Sequence, residues 1–330
     1  MNKITVDLKS IKEFIYRYSC FFILLLLMII STILSPVFLS KQNIFNVMRQ
    51  QVPILLMSIG ALLVILTAGI DLSTGANLAL CNTILAYLLE NAGFGSYFGL
   101  AISILLSIIA GAIMGGANGF LVSYLRMPAF IATLGTMTMA RGVAYMITGG
   151  SPIRPSTDAA VAPGSAVLYQ FGQRNDPLIG MPWAVWVVII IVVFFWFLMK
   201  YTSFGRLIVA TGSNETATRL AGINVKRYKF FAYTFCGALS GVAAVMQTAR
   251  AGIATASAAT GFELSAITAA VIGGASLTGG RGLVANSIVG VFIVALITNI
   301  MNLISVPPYP QQIIQGFIII VAVLLNLDKD

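Results

Sequence analysis

The chain has 330 residues, of which 58% are hydrophobic and only 9% are charged. A soluble domain carries about 25% charged residues, because it must cover its surface with polar groups. The composition therefore excludes a soluble globular protein, and it is equally unlike a disordered or disulfide-stapled chain. A net charge of +9 is better explained by basic cytoplasmic loops than by binding to nucleic acid, so we expect no nucleic-acid partner.

The residue types also exclude several kinds of chemistry. The chain has no histidine, which rules out a histidine-based triad, proton relay or metal site. Its cysteines, Cys20, Cys81 and Cys236, stand singly in apolar stretches and indicate no disulfide framework or zinc site. No phosphate-binding loop motif occurs. We therefore expect no catalytic residues, no cofactor and no metal, and any ATP hydrolysis belongs to another protein.

Taken in chain order, the apolar runs predict an all-α integral membrane protein made of one domain, residues 1–330. A helix needs roughly 20 apolar residues to cross a hydrocarbon core of about 30 Å. Runs of this kind, about ten in all, lie at 20–39, 52–70, 72–89, 98–122, 129–148, 183–200, 230–250, 263–277, 283–303 and 310–326.

The basic residues predict the orientation of these spans. An even number of spans places both termini on one side of the membrane. Most lysines and arginines then fall on that same side, which the positive-inside rule identifies as the cytoplasm. The first run lacks a small-residue cleavage site and is expected to remain as a helix. Both termini are therefore predicted to be cytoplasmic.

Two loops are longer than a tight turn. Residues 149–182 contain five prolines and balanced charge, which suits an extracytoplasmic loop. Residues 201–229 are basic and are predicted to be cytoplasmic. Within the second loop, Asn214 is a candidate cap for a short helix that starts at Glu215, and Gly222 is suited to a left-handed ending. The small apolar face of this helix suggests docking onto a cytoplasmic partner, although a solvated loop is the alternative.

Three ionisable residues fall near membrane depth: Asp71, Arg141 and Glu263. Because a charge is costly in lipid, such residues usually face a bundle interior or an aqueous path. Asp71 is equally suited to accept hydrogen bonds from the start of the next helix. For Arg141 and Glu263 the alternatives are a role in the path, mutual pairing, or placement at the membrane interface.

Uncharged polar residues and glycines on the spans carry weaker signals. Polar side chains can hydrogen-bond a passing sugar, but they can equally join one helix to another. The candidates are Asn77, Asn118, Thr138, Asn299 and Asn302. Glycines at four-residue spacing in the fourth and seventh runs favour close helix packing inside the bundle, with a dimer seam as the alternative. These are Gly111, Gly115 and Gly119, then Gly237 and Gly241.

Four segments together resemble one protein family. Residues 212–224 resemble the ATPase-coupling loop of permease subunits from binding-protein-dependent ABC sugar importers, in the branch that includes the ribose permease. Residues 66–73, 128–136 and 273–282 fit the same branch, and their order and spacing hold over nearly the whole chain. Four motifs in register make this resemblance specific.

The resemblance implies a ten-helix, non-enzymatic permease in the bacterial cytoplasmic membrane. Its implied partners are a cytoplasmic ATP-binding subunit, a second permease, an extracytoplasmic sugar-binding protein and membrane lipid. The implied ATPase contact consists of Gly212, Asn214, Glu215, Ala217, Leu220 and Gly222. An ion-coupled sugar carrier is the alternative, but it would need a membrane-embedded relay of acids or histidines. A membrane-embedded enzyme would need a clustered nucleophile and base, which the chain lacks.

Overall fold

The structure, a computed structural model, describes residues 19–327. The predicted location of the two termini concerns residues that lie outside this range. Thirteen helices occur between residues 19 and 327: α1 Ser19–Leu34, α2 Lys41–Leu66, α3 Thr74–Glu90, α4 Tyr97–Ser123, α5 Ala129–Thr148, α6 Pro163–Gln173, α7 Trp183–Tyr201, α8 Ser203–Ser213, α9 Glu215–Leu220, α10 Val225–Ala251, α11 Phe262–Ile272, α12 Val284–Leu303 and α13 Pro308–Leu327.

The all-helical fold class agrees with the prediction, and each apolar run overlaps one helix among residues 19–327. Among the described residues, six helices are both long and apolar enough to cross a membrane, namely α2, α4, α5, α7, α10 and α12. Helices satisfy their own backbone hydrogen bonds, which is why such runs fold as helices in lipid. The chain is thus a multi-pass membrane protein, while the count of ten spans and their orientation stay predictions.

Two boundaries differ from the predicted runs. Helix α2 begins at Lys41, well before residue 52, because the Ser40 hydroxyl caps it by accepting a hydrogen bond from the Asn43 backbone N–H at 3.2 Å. Helix α11 ends at Ile272, five residues before the predicted end at 277. There the chain enters a left-handed turn at Gly274, with φ of 90°.

Helix α2 is the centre of the bundle. Every residue from 55 to 66 is buried, and the helix packs against α7, α8, α10, α11 and α12. Helix α1 packs against α12 and helix α13 against α11, and both leave rows of large apolar side chains exposed. Apolar rows of this size on the outside of a bundle are suited to contact with lipid.

Helices α4 and α10 cross most closely, through the two glycine stripes. A Cβ atom at Gly115 would overlap the Tyr233 carbonyl oxygen, and one at Gly237 would lie 2.7 Å from the Gly115 Cα. A Cβ atom at Gly241 would lie 2.8 Å from the Ile108 Cα. The stripes therefore face each other within one chain, so neither is available as a dimer seam.

The loops gather at two ends of the bundle. At the first, which we name the α9 end, the Gly280 N–H donates to the Leu66 carbonyl oxygen at 3.1 Å, next to helices α8 and α9. At the second, the α6 end, the Gly164 N–H donates to the Gly95 carbonyl oxygen at 2.7 Å. The two long loops therefore lie at opposite ends, as an alternating set of spans requires.

Candidate functional site

Helix α9 has the local structure that the sequence predicts. The Asn214 Oδ1 atom accepts a hydrogen bond from the Ala217 N–H at 2.9 Å, and Gly222 has φ of 81°. The cap satisfies one of the free N–H groups at the helix start. The Thr218 hydroxyl is buried and donates to the Ala210 carbonyl at 2.9 Å and to the Asn214 carbonyl at 2.8 Å. Thr218, which the sequence analysis missed, thus fastens α9 to α8.

The outer face of α9 is uncovered by the described part of the chain. Leu220 is 82% exposed, and Ala217 and Ala221 are exposed beside it. Glu215, in the first turn, pairs with Lys229 at 2.6 Å and keeps 52% of its side chain exposed. A six-residue helix is marginal in water by itself. Its uncovered apolar face therefore fits a docking element.

Gly212 lies apart from that face, on the last turn of α8. A Cβ atom there would overlap the Leu66 carbonyl oxygen and would lie 2.7 Å from the Gly280 nitrogen. This position thus requires a glycine because three backbones meet, so the contacts of Gly212 lie within the bundle.

Asp71 lies in the break between α2 and α3 and is buried among polar groups. Its Oδ1 atom accepts hydrogen bonds from the Ser73 N–H at 2.9 Å and the Ser73 hydroxyl at 2.6 Å. The Asn118 amide donates to the Ser73 hydroxyl at 2.7 Å and accepts from the Thr136 hydroxyl at 2.6 Å. Asp71 therefore bonds the residue before α3, and Asn118 connects this break to α5.

Three other candidates form hydrogen bonds between helices. The buried Asn77 amide donates to the Gly111 carbonyl at 3.1 Å, at the crossing of α4 and α10. Asn299 and Asn43 exchange reciprocal amide hydrogen bonds at 2.9 and 3.0 Å. Asn302, near the end of α12, accepts a hydrogen bond from the Gln311 amide at 2.8 Å. These contacts favour the helix-joining role for all of these asparagines.

The segment between α10 and α11, residues 252–261, re-enters the bundle without helical structure. Its Thr255 N–H donates to the Asn82 side chain at 3.2 Å, midway along α3, and a Cβ at Gly75, at the start of α3, would lie 2.6 Å from the Ala259 carbonyl oxygen. Non-helical backbone at membrane depth is tolerated where it is buried in protein or lines a water-filled cavity. This feature was not predicted from the sequence, although the glycines at 252 and 261 are its local signal.

Arg141, on α5, holds this re-entrant segment. Its guanidinium donates to the carbonyl oxygens of Ala256 at 2.6 Å and Ala258 at 2.7 Å. Glu263, at the start of α11, is 6% exposed and accepts from the Gly261 N–H at 3.1 Å. No donor in the described chain reaches its Oε2 atom, and Arg141 and Glu263 form no ion pair within 4.0 Å.

Small and polar side chains are exposed along the same side of α5. Thr138 is exposed and bonds only its own helix, through the Leu134 carbonyl at 3.1 Å, and Gly142 follows one turn later. On the re-entrant segment, Ser257 and Thr260 are exposed as well. We name these four residues, with Arg141 between the two elements, the polar face.

The loop at the α6 end is held by hydrogen bonds within the chain. Asp176 accepts backbone hydrogen bonds from Leu178, Ile179 and Met181 at 2.9, 3.0 and 2.7 Å. These bonds, that of Ile179 foremost, together with one from Trp186, lower the pKa of the Asp176 carboxyl below its ordinary value. The turn is thereby fixed with Leu178, 92% exposed, at its tip.

Comparison with known proteins places this geometry in a family. Residues 43–323 match the family described as the branched-chain amino acid transport system / permease component. The chain belongs to this permease family. A permease component is a transport subunit that crosses the bacterial inner membrane several times. The long apolar helices of this chain fit such a protein. No solved structure matches the chain significantly.

Curated relatives of the permease span nearly its whole length. It is 38% identical over 311 residues to the ribose import permease protein RbsC of Escherichia coli K12, covering 93% of this chain and 92% of that protein. The ribose import permease protein of Bacillus subtilis 168 is also 38% identical, over 93% of this chain and 91% of its own length. The D-allose transport system permease protein of Escherichia coli K12 is 34% identical, with 94% and 91% covered.

Proposed function

We propose that this permease forms the membrane passage of an ATP-driven ABC importer for ribose or a ribose-like monosaccharide. The observation that carries the substrate class is the 38% identity to ribose import permeases over 93% of the chain. The D-allose permease at 34% identity is named for another monosaccharide. The sequence contains no phosphate-binding loop motif, and in this proposal a partner subunit hydrolyses the ATP.

The proposed ATPase contact is the uncovered face of α9. Leu220 and Ala217 provide its apolar part, Glu215 its charge, and Asn214 and Gly222 fix the two ends of the helix. Gly212 lies behind this face, with its close contacts inside the bundle, and is not itself part of the proposed contact. Leu220, at the end of the helix, is 82% exposed in an otherwise polar loop. An apolar side chain presented in this way fits a groove on a cytoplasmic protein.

The proposed passage runs along the polar face. Thr138, Ser257 and Thr260 offer hydroxyls to a sugar, and Arg141 offers donors. Glu263 lies buried close behind, whereas Asp71, Asn77, Asn118 and Asn299 serve to hold helices together. Because a single chain leaves this face open, we expect a second permease, identical or closely related, to close the passage.

The mechanism follows from these assignments. The sugar-binding protein delivers its sugar at the α6 end, and ATP binding and hydrolysis on the partner move α9. The bundle then alternates between a state open to the outside and one open to the cytoplasm. Both termini lie in the cytoplasm in this arrangement, with about ten spans crossing the inner membrane.

Purification of the tagged chain from its own membranes in mild detergent tests the proposal. We expect mass spectrometry to find an ATP-binding subunit in equal copy number, and a second permease would show a heterodimer. The alternative, an ion-coupled carrier, draws on the unpaired Glu263 carboxylate oxygen. Recovery of the chain alone, still active for ribose uptake in ATP-free liposomes, would overturn the importer and favour that carrier.

A further inference from the structure

The feature that connects α9 to the rest of the bundle is a junction of three backbones. Only Asn214 separates α9 from α8, and the Thr218 hydroxyl bonds across that step to the Ala210 carbonyl at 2.9 Å. The two helices are therefore fastened to each other. Any displacement of α9 must act on the last turn of α8, which carries Gly212 and Ser213.

That last turn meets the end of α2 and the glycine loop before α12. A Cβ atom at Gly212 would overlap the Leu66 carbonyl oxygen, and one at Gly280 would lie 2.7 Å from the Ser213 Cα. The Gly280 N–H donates to the same Leu66 carbonyl at 3.1 Å. Apart from the Ser213 hydroxyl, which also lies close to Gly280, these contacts are between backbones, so little side-chain freedom is available to absorb a movement.

The end of α2 connects this junction to α5. Ala68, two residues after Leu66, has φ of 59°, and its nitrogen would lie 2.9 Å from a Cβ at Gly279. A non-glycine residue with positive φ indicates a turn that the surroundings hold in place. Three residues later, Asp71 begins the chain of hydrogen bonds through Ser73 and Asn118 to Thr136 of α5.

We propose that Gly212, Leu66 and Gly280 form the junction through which movement of α9 enters the bundle. From there it reaches α5, and with it Thr138 and Arg141 of the polar face, through the Asp71–Ser73–Asn118–Thr136 hydrogen bonds. The inference rests on the proposed function, because it presumes that an ATPase moves α9. It goes further by assigning three residues that touch neither the ATPase face nor the sugar as positioning residues for coupled transport.

Continuity of contacts alone does not demonstrate energetic coupling, so the test measures coupling directly. The variants are Gly212→Ala, which forces α8 away from Leu66, and Ala68→Gly, which relaxes the turn at its positive φ. The control is Gly316→Ala, a helical glycine whose Cβ would meet nothing within 4 Å. Each full complex is purified, and four properties are compared: copurification of the ATP-binding subunit, basal ATPase activity, stimulation by ribose-loaded binding protein, and ribose uptake in proteoliposomes.

We expect both junction variants to keep the ATP-binding subunit and the basal ATPase activity within about twofold of wild type. Stimulation and ribose uptake should fall at least tenfold in Gly212→Ala and about threefold in Ala68→Gly, with Gly316→Ala unchanged. A merely structural role would lower copurification instead. If Gly212→Ala does not reach the membrane, the result for Ala68→Gly tests the proposal by itself. This variant is expected to fold, because glycine relieves the strain of a positive φ.

Full stimulation and uptake in the junction variants would overturn the junction while leaving the importer intact. Loss of the ATP-binding subunit in step with stimulation would also overturn it, since the residues would then act on assembly. Failure of the proposed function would instead be seen in the wild-type complex, which would then have no ATP-dependent ribose uptake.

Discussion

The two long loops of this permease are built in opposite ways. Loop 149–182 is fastened to other parts of the chain by Ile153 to Ala254 and by Gln173 to the Arg250 carbonyl, and its turn around Asp176 is held by hydrogen bonds within the loop. Loop 201–229 is also well hydrogen-bonded at α9, through the Asn214 cap and the Thr218 hydroxyl, yet the described residues leave the apolar face around Leu220 uncovered. A capped helix whose apolar face is unburied fits packing supplied by a cytoplasmic protein, whereas the first loop is held by hydrogen bonds within this chain and exposes Leu178 only at the tip of a fixed turn.

The largest effect on transport is expected from a charge at Leu220, and Leu178 in the other loop provides the matched control. Leu220 is 82% exposed on α9, and Leu178 is 92% exposed at the tip of the Asp176 turn. Leu220→Asp should lower copurification of the ATP-binding subunit and ribose uptake more than tenfold, because a charge would be buried in the docking groove. Leu178→Asp, measured in parallel, should copurify the subunit normally. Equal copurification of the ATP-binding subunit with both variants would contradict the assignment of the docking surface to α9.

A smaller effect is expected from reversing the charge of Glu215. Exposed ion pairs such as Glu215–Lys229 contribute about 0–1 kcal/mol, so stability should barely change. Glu215→Lys should lower stimulated ATPase activity several-fold if the carboxylate contacts the ATPase. The double exchange Glu215→Lys with Lys229→Glu restores the pair but not that contact.

The double exchange therefore decides between two roles of Glu215. Recovery of stimulation in the double variant would assign Glu215 to the ion pair alone. Continued loss would assign it to the partner surface.

The smallest effect on transport is expected at the other loop. Asp176→Asn should lower the Tm of the detergent-purified permease by a few degrees while uptake stays within about twofold of wild type. Since the folded-state pKa of Asp176 is lowered, its stabilisation is present above the ordinary pKa of about 3.9 and disappears as the pH falls through the folded-state value. The Tm difference between wild type and Asp176→Asn should thus be full at pH 7 and should shrink as the pH is lowered below the ordinary pKa of Asp. A large loss of uptake at unchanged Tm would give this loop a transport role.

Features encoded by a few neighbouring residues could be predicted from the sequence. The Asn214 cap, the left-handed Gly222 and the apolar runs each depend on local geometry. Helix α6 escaped prediction because Pro163 and two glycines obscured an 11-residue helix in a polar loop. The re-entrant segment escaped it because its shape depends on Arg141, more than a hundred residues earlier.

Partners far apart in the chain were the least predictable. No residue near Asn299 in the sequence indicates that Asn43 is its hydrogen-bond partner. Likewise, no residue near Gly212 indicates its close contact with the Leu66 carbonyl. Such pairs form only once the helices have packed. Membrane depth alone therefore did not distinguish asparagines that join helices from residues such as Thr138 on an open face.

The measurement that tests the account most directly is ribose uptake by the purified complex in proteoliposomes, with ATP supplied on the side of α9. The account predicts uptake that requires ATP and binding protein, persists when ionophores remove all ion gradients, and disappears in Leu220→Asp. Uptake by ATP-free vesicles in response to an imposed proton or sodium gradient would contradict it.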